Sequence, residues 1–267
     1  MPDEPILRIA GLRKQFGALV AAAELDVAFR RGETVGIIGA NGAGKTTFVN
    51  LVTGYLRPDR GTITYLGRDI TGRGPRHVTA AGLCRSFQIP QVFGSMTVAD
   101  NLMMAIGIAE GGWLPAGAPL ESARRREAVD ELLAHYHLAS YRKHVAAKLP
   151  QGVRKLLDIA MATARKPALL MLDEPTSGIS AAEKYDLMDV IMRALRTQQV
   201  TIHFIEHDME IVARYAERVL AFAAGSIIAD GPPAAVLGDG RVRELVVGKH
   251  EAARHAGAPP TQTAPGS

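Results

Sequence analysis

At 267 residues, with 47% apolar side chains, the chain has material for one large α/β domain or a core with an inserted subdomain, but not for two complete nucleotide-hydrolysing domains. No apolar run approaches the ~18 residues that a membrane helix needs, and the start, Met1-Pro2-Asp3-Glu4-Pro5, lacks the charged head and apolar core of a signal peptide. The charge of +4 is mild, and one cysteine, Cys84, excludes intrachain disulfides and favours a cytosolic address.

In chain order, residues 6–34 read as two or three strands broken at Gly17 and at Arg31-Gly32. The apolar run Val35-Gly36-Ile37-Ile38 then enters Gly39-Ala40-Asn41-Gly42-Ala43-Gly44-Lys45-Thr46, which fits G-x4-G-K-[ST] and leads into a helix-like stretch. Thr62-Ile63-Thr64-Tyr65-Leu66, closed by Gly67-Arg68-Asp69, alternates like an antiparallel strand before a turn. These segments suggest a β-rich edge beside a parallel core.

Residues 97–108 and 122–138 look helical, the second with a stripe of Ala128, Val129, Leu132, Leu133 and Tyr136. Its Arg124-Arg125-Arg126 run, followed by Glu127, Asp130 and Glu131, reads as a solvated helix face and not a nucleic-acid patch. Between these helices, 107–119 is a Gly/Pro/Ala-rich surface loop whose Trp113 serves local packing or a partner contact. A further helix after Gly152 places Val153, Leu156, Leu157, Ala160, Met161 and Ala164 on one face and is stopped by Pro167. Ala168-Leu169-Leu170-Met171-Leu172 is a buried parallel strand. A helix through Leu187 and Leu195, a strand at 200–205 and a β-rich section at 219–229 complete the α/β order, and from 251 an Ala/Gly/Pro/Thr-rich stretch to 267 reads as a disordered tail.

The glycine-rich loop makes a nucleoside triphosphate the expected ligand. Its N–H groups face the phosphates, Lys45 supplies positive charge, and Thr46 can join a Mg2+ shell. Kinases, GTPases, motors and transporters share this loop, so it leaves the class open. Asp173 ends the 168–172 run as a candidate Mg2+ carboxylate on a neighbouring strand, and Glu174 follows as a base or polariser for the attacking water. Ile205-Glu206-His207-Asp208 ends the next strand, with His207 aimed into the ligand crevice.

The ordered set of Lys45, Phe87-Gln88, Leu149-Pro150-Gln151-Gly152, Leu172-Asp173-Glu174-Pro175-Thr176-Ser177-Gly178 and Glu206-His207-Asp208 resembles the ATP-binding-cassette ATPases over roughly residues 6–248. The resemblance implies a P-loop fold with a parallel core sheet, an antiparallel β subdomain and an inserted helical subdomain at about 95–165, within a domain spanning 1–250. It implies ATP and Mg2+ as cofactors. Phe16 would stack on adenine or pack as core. Gly39, Asn41, Gly42, Ala43, Gly44, Lys45, Thr46 and Thr47 would hold the phosphates, with Gln151 and Gly152 as further nucleotide contacts. Thr46, Gln88 and Asp173 would hold the metal, and Glu174, Gln88 and His207 would do the catalytic work.

Phe16-Gly17-Ala18-Leu19-Val20-Ala21, Arg85-Ser86-Phe87-Gln88 with Phe93, Met96-Thr97-Val98-Ala99-Asp100-Asn101-Leu102 and the Leu-Pro-x-Gly opening at Leu149 resemble the Liv-type uptake family for branched-chain and other hydrophobic amino acids. Relatives import urea, amides or aromatic acids, so the solute stays open. The implied partners are separate membrane permease subunits, a second cassette ATPase and, indirectly, a periplasmic solute-binding protein, at the cytoplasmic face of the bacterial inner membrane. A soluble cassette ATPase without a transport role is the alternative, although no tandem cassette, coiled coil or zinc module is visible. A guanine-specific Asn-Lys-x-Asp is absent.

Two segments depart from the family pattern. Pro150 stands where the signature Leu-Ser-Gly-Gly-Gln has serine, and it offers neither hydroxyl nor N–H. Val153 replaces its glutamine, and Ser180 stands where an aspartate is usual. Either a heterodimer with unequal sites or a proline variant that works normally accounts for them.

Overall fold

The structure, a computed structural model, describes residues 4–111 and 122–247, so Trp113 and the tail from 251 lie outside the described residues. In chain order the elements are strands β1 (Leu7–Phe16), β2 (Leu19–Phe29) and β3 (Thr34–Gly39), helix α1 (Lys45–Val52), strands β4 (Arg60–Tyr65) and β5 (Arg68–Asp69), helix α2 (Pro75–Ala80) and strand β6 (Leu83–Ser86). Helices α3 (Val98–Gly111), α4 (Ala123–His135) and α5 (Gln151–Thr163) follow. Strand β7 (Leu169–Asp173), helix α6 (Lys184–Thr197), strand β8 (Thr201–Ile205), helix α7 (Met209–Tyr215), strands β9 (Arg218–Ala223) and β10 (Ser226–Gly231) and helix α8 (Pro233–Gly238) lead to the end.

Two sheets form: an antiparallel one ordered β2-β1-β4-β5, and one ordered β10-β9-β3-β8-β7-β6. Within the second sheet β9, β3, β8, β7 and β6 run parallel and β10 closes one edge antiparallel. Every residue of β3 and of β8 is buried, as expected of strands covered on both faces. The two-residue period of the strands splits the core in two. Leu170, Leu172, Ile202 and Phe204 join one apolar cluster with α3, α4, α5 and α6, while Leu169, Met171, Ile205 and Phe222 join the other with α1 and the antiparallel sheet. The α/β class with an antiparallel sheet beside a parallel core is thus the observed one.

Several boundaries differ from the sequence expectation. Helix α3 continues through Gly107 to Gly111, where the sequence pattern places the start of a loop; the rest of that expected loop, 112–119, lies outside the described residues. Helix α4 ends at His135, yet Tyr136 is fully buried beyond it, its hydroxyl 3.1 Å from Thr163 Oγ1. Arg124 is solvated, but Arg125 turns back and donates from Nε to Glu110 of α3 at 2.8 Å, so the basic run is not wholly a solvent face. Strand β6 and helices α2, α7 and α8 are short and carry too few residues to show a period.

Thr97 and Asp100 start α3 with reciprocal bonds, Asp100 N to Thr97 Oγ1 at 3.2 Å and Thr97 N to Asp100 Oδ2 at 3.3 Å. Just inside, the fully buried Asn101 accepts from Phe93 N at 2.8 Å and donates to Phe93 O at 3.1 Å and Thr97 O at 2.9 Å. This closes the loop after β6 onto α3 and leaves Phe93 45% exposed at its tip.

Candidate functional site

The glycine-rich loop joins β3 to α1. Gly44 caps α1 at φ +104 with no side-chain acceptor, and a Cβ there would lie 2.5 Å from the Ala21 carbonyl oxygen, so only glycine fits. The first-turn N–H groups of α1 therefore have no side-chain cap of their own, which is the arrangement that receives an anion. Lys45 is buried and folds back to donate to Gly39 O at 2.5 Å and Ala40 O at 3.1 Å. Burial pushes its pKa down, and the charges of Glu174 and Asp173 oppose that shift. The lysine thus rests on carbonyls that a phosphate oxygen could replace as its partner.

A cleft of about 230 Å³ opens beside this loop and is lined by Phe16, Asn41, Lys45, Thr46, Glu174 and His207 among others. Gly42, Ala43, Gly44 and Thr47 also line it. Phe16 is 45% exposed on the rim, where Lys14 Nζ lies 5.5 Å from its ring centroid, so it is not a core residue.

The two carboxylates end β7, but β7 is not the neighbour of β3: β8 lies between them. This corrects the simpler expectation and puts His207, at the end of β8, between loop and carboxylates in sheet order. Glu174 has φ +47, a left-handed conformation uncommon outside glycine, and its N–H donates to Ile205 O at 3.0 Å. Its Oε1 lies 2.9 Å from His207 Nε2, and its Oε2 accepts from Gln88 Nε2 at 2.6 Å. Three residues from separate segments of the chain, Gln88, Glu174 and His207, therefore meet on one carboxylate. The neighbouring Glu206, buried, accepts from Thr176 N and Oγ1 at 2.8 Å each and so pins the turn after Glu174 to β8; burial raises its pKa.

Asp173 faces elsewhere. Arg85 donates to its Oδ2 at 2.5 Å and to Asn50 Oδ1 of α1 at 2.6 Å, while the guanidinium carbon stands 4.8 Å from the Phe87 ring centroid. The donor set proposed for a divalent cation, the Thr46 hydroxyl, Gln88 amide and Asp173 carboxylate, is all oxygen and suits Mg2+. Among the described residues no group of three or more His, Cys, Asp or Glu could hold a metal ion.

Gln151 and Gly152 do not line this cleft. Pro150 caps α5 without a side-chain bond, and Gln151 Nε2 donates to Ser177 O at 3.3 Å. Gln151 leans over Gly178, where a Cβ would meet its Nε2 at 2.2 Å. Ser180 gives its hydroxyl to Glu183 Oε2 at 2.6 Å. The signature segment and the loop after β7 thus share a surface of this chain, away from its own Lys45.

Sequence reasoning assigned no role to Arg85, Asn50, Lys155 or Glu206. Arg85 and Glu206 lie inside quoted motifs, beside the residues that drew attention. Lys155 gives no signal, because a lysine inside an amphipathic pattern reads as solvent-facing, yet it is 1% exposed.

The family model described as ABC transporter matches residues 22–177. Over 254 residues the chain is 32% identical to the "Probable branched-chain amino acid transport ATP-binding protein LivG" of Archaeoglobus fulgidus, covering 92% of this chain and 96% of the relative. It is 34% identical over 237 residues to the "High-affinity branched-chain amino acid transport ATP-binding protein LivG" of Salmonella typhimurium, covering 86% and 93%. The crystal structure of an ATP-binding cassette of an ABC transporter in its ADP conformation superposes with a TM-score of 0.80 at 30% identity, covering 92% of this chain and all of that one (100%). With the loop, the cleft and these likenesses together, the chain belongs to the ABC transporter family and is one of its ATPase cassettes.

Proposed function

We propose that this chain is the ATP-hydrolysing subunit of an importer for branched-chain or other hydrophobic amino acids, working on separate permease subunits beside a second cassette. The observation that carries it is the Glu174 carboxylate held by Gln88 and His207 at the mouth of the Lys45 cleft. The Liv names of its relatives support the solute class. Among the described residues no helix is long and apolar enough to cross a membrane, so in this reading the pore belongs to other chains.

In this mechanism the loop N–H groups and Lys45 bind the β- and γ-phosphates, and Phe16 offers its exposed face to the adenine. Thr46, Gln88 and Asp173 would hold Mg2+, which when bound neutralises charge on the phosphate oxygens. Asp173 leaves Arg85 to do so. Glu174 orients the attacking water, since hydrolysis depends on placing the nucleophile. His207 holds the carboxylate's other oxygen, and Gln88 senses the site from the loop that carries Phe93 outward. The signature end of α5, with Gln151 and Gly152, would serve the nucleotide of the second cassette.

The test is a pair of variants in the full chain. Lys45→Ala should abolish binding of fluorescent ATP. Glu174→Gln should bind ATP as the native chain does and hydrolyse it at least about 100-fold more slowly. Hydrolysis by Glu174→Gln at the native rate would remove Glu174 from the mechanism. Uptake of labelled leucine by vesicles carrying the whole transporter, absent with Lys45→Ala, tests the solute.

A further inference from the structure

Lys155 lies on α5 with 1% of its surface exposed, and its Nζ donates to the backbone carbonyls of Gln88 at 2.6 Å and Glu174 at 3.1 Å. These are the two residues whose side chains bond each other. One turn on, the buried Asp158 accepts from Ser86 Oγ at 2.6 Å and from Gln91 N at 2.7 Å, so α5 grips the same loop on either side of Gln88. An ammonium removed from water is costly unless compensated. Here the compensation is the two carbonyls and the fields of Asp158, Glu206, Asp173 and Glu174, which oppose the downward pull of burial on its pKa.

The Glu174 backbone also needs holding. Its φ of +47 is strained for a residue with a side chain, and its carbonyl accepts from both Lys155 Nζ and Ser177 N, the latter at 3.1 Å. Losing one donor would let this peptide relax and swing the carboxylate with it.

We propose that Lys155 is a positioning residue: by tying the peptides of Gln88 and Glu174 to α5, it sets the aim of the Glu174 carboxylate and links that aim to where the α3–α5 helices sit. It touches no substrate and rests on the reading of Glu174 as the water-orienting group.

The experiment uses the full chain with Lys155→Met, Lys155→Arg and Glu174→Gln, plus the Lys155→Met/Glu174→Gln double variant. Binding of fluorescent ATP, KM, kcat and the urea midpoint are measured for each. Lys155→Met is expected to bind ATP within about twofold of the native chain and to lose at least tenfold in kcat with KM unchanged. Lys155→Arg, which keeps the charge, should recover part of that loss. The double variant should be no slower than Glu174→Gln alone, because both changes act through one carboxylate. Native kcat in Lys155→Met, or losses that multiply in the double variant, would overturn the proposal. Should Lys155→Met fail to fold, the same split of kcat from KM is read in Lys155→Arg, whose planar head cannot reproduce both bonds; native kcat there would overturn it. Glu174→Gln with native kcat would instead defeat the underlying reading, a distinct result.

Discussion

Arg85 occupies Asp173: the guanidinium and carboxylate are 2.5 Å apart, with side-chain exposures of 8% and 12%. The residue expected to serve a cation is thus already paired with one, and binding must trade one positive partner for another. Removing one member of a buried pair strands the other, at about 3 kcal/mol or more. Arg85→Ala should lower unfolding stability by about that amount in urea titration. The Arg85→Ala/Asp173→Asn double variant should lose less than the sum of the two single changes, since both remove one interaction. Additive losses would show that the pair contributes nothing.

Asn101 makes three bonds that hold the Phe93 loop against α3. Asn101→Leu leaves the Phe93 N–H and carbonyl without this partner, and each unmade buried bond costs about 1–3 kcal/mol. A loss of about 2 kcal/mol in urea, with ATP binding by the isolated chain unchanged, is expected. Weaker ATP binding would mean the loop supports the nucleotide cleft directly.

Gly44→Ala should fail for two reasons at once. The φ of +104 strains any side chain, and the added carbon would press on the Ala21 carbonyl. Stability should fall by at least about 2 kcal/mol and fluorescent-ATP binding should be lost. Native binding in this variant would show that the loop can rebuild itself without the glycine.

His203 sets a pH dependence unrelated to catalysis. It is buried in β8, its ring centroid 4.2 Å from that of Phe29, with neither ring nitrogen hydrogen-bonded, and burial depresses its pKa to about 3. An unfolded chain takes up this proton near pH 6.5, whereas the folded one refuses it until about pH 3. The unfolded state therefore binds more protons throughout that window, and stability falls with falling pH by up to about 1.4 kcal/mol per unit. Urea midpoints of the native chain should drop between pH 7 and pH 5. In His203→Leu the drop should be smaller; an equal one would assign the dependence to other groups.

The fold was legible where burial and sequence period coincide. The runs at 35–38 and 168–172 are apolar throughout because their strands are covered on both faces, and the loop between β3 and α1 declares itself through glycines that only such a turn requires. Strand β6, with four residues, lacks length for a period to emerge. Of the candidate site, individual residues could be named from their motifs, but their bonds could not. That Glu174 is shared by Gln88 and His207, and that Arg85 holds Asp173, depends on strand order, which the chain does not spell locally. Lys155 was hidden for a different reason: its value lies in two backbone carbonyls, and a backbone carbonyl has no letter.

The insertion of β8 between β3 and β7 turns the sheet into a ruler. Strands stand about 4.8 Å apart, so the phosphate loop and the strand bearing Glu174 are roughly 10 Å apart across the sheet. The side chains of Glu174 and His207 close that distance, since both line the cleft beside Lys45. Sheet order thus holds the loop and the carboxylate on strands two places apart, and side-chain reach alone brings them to one cleft.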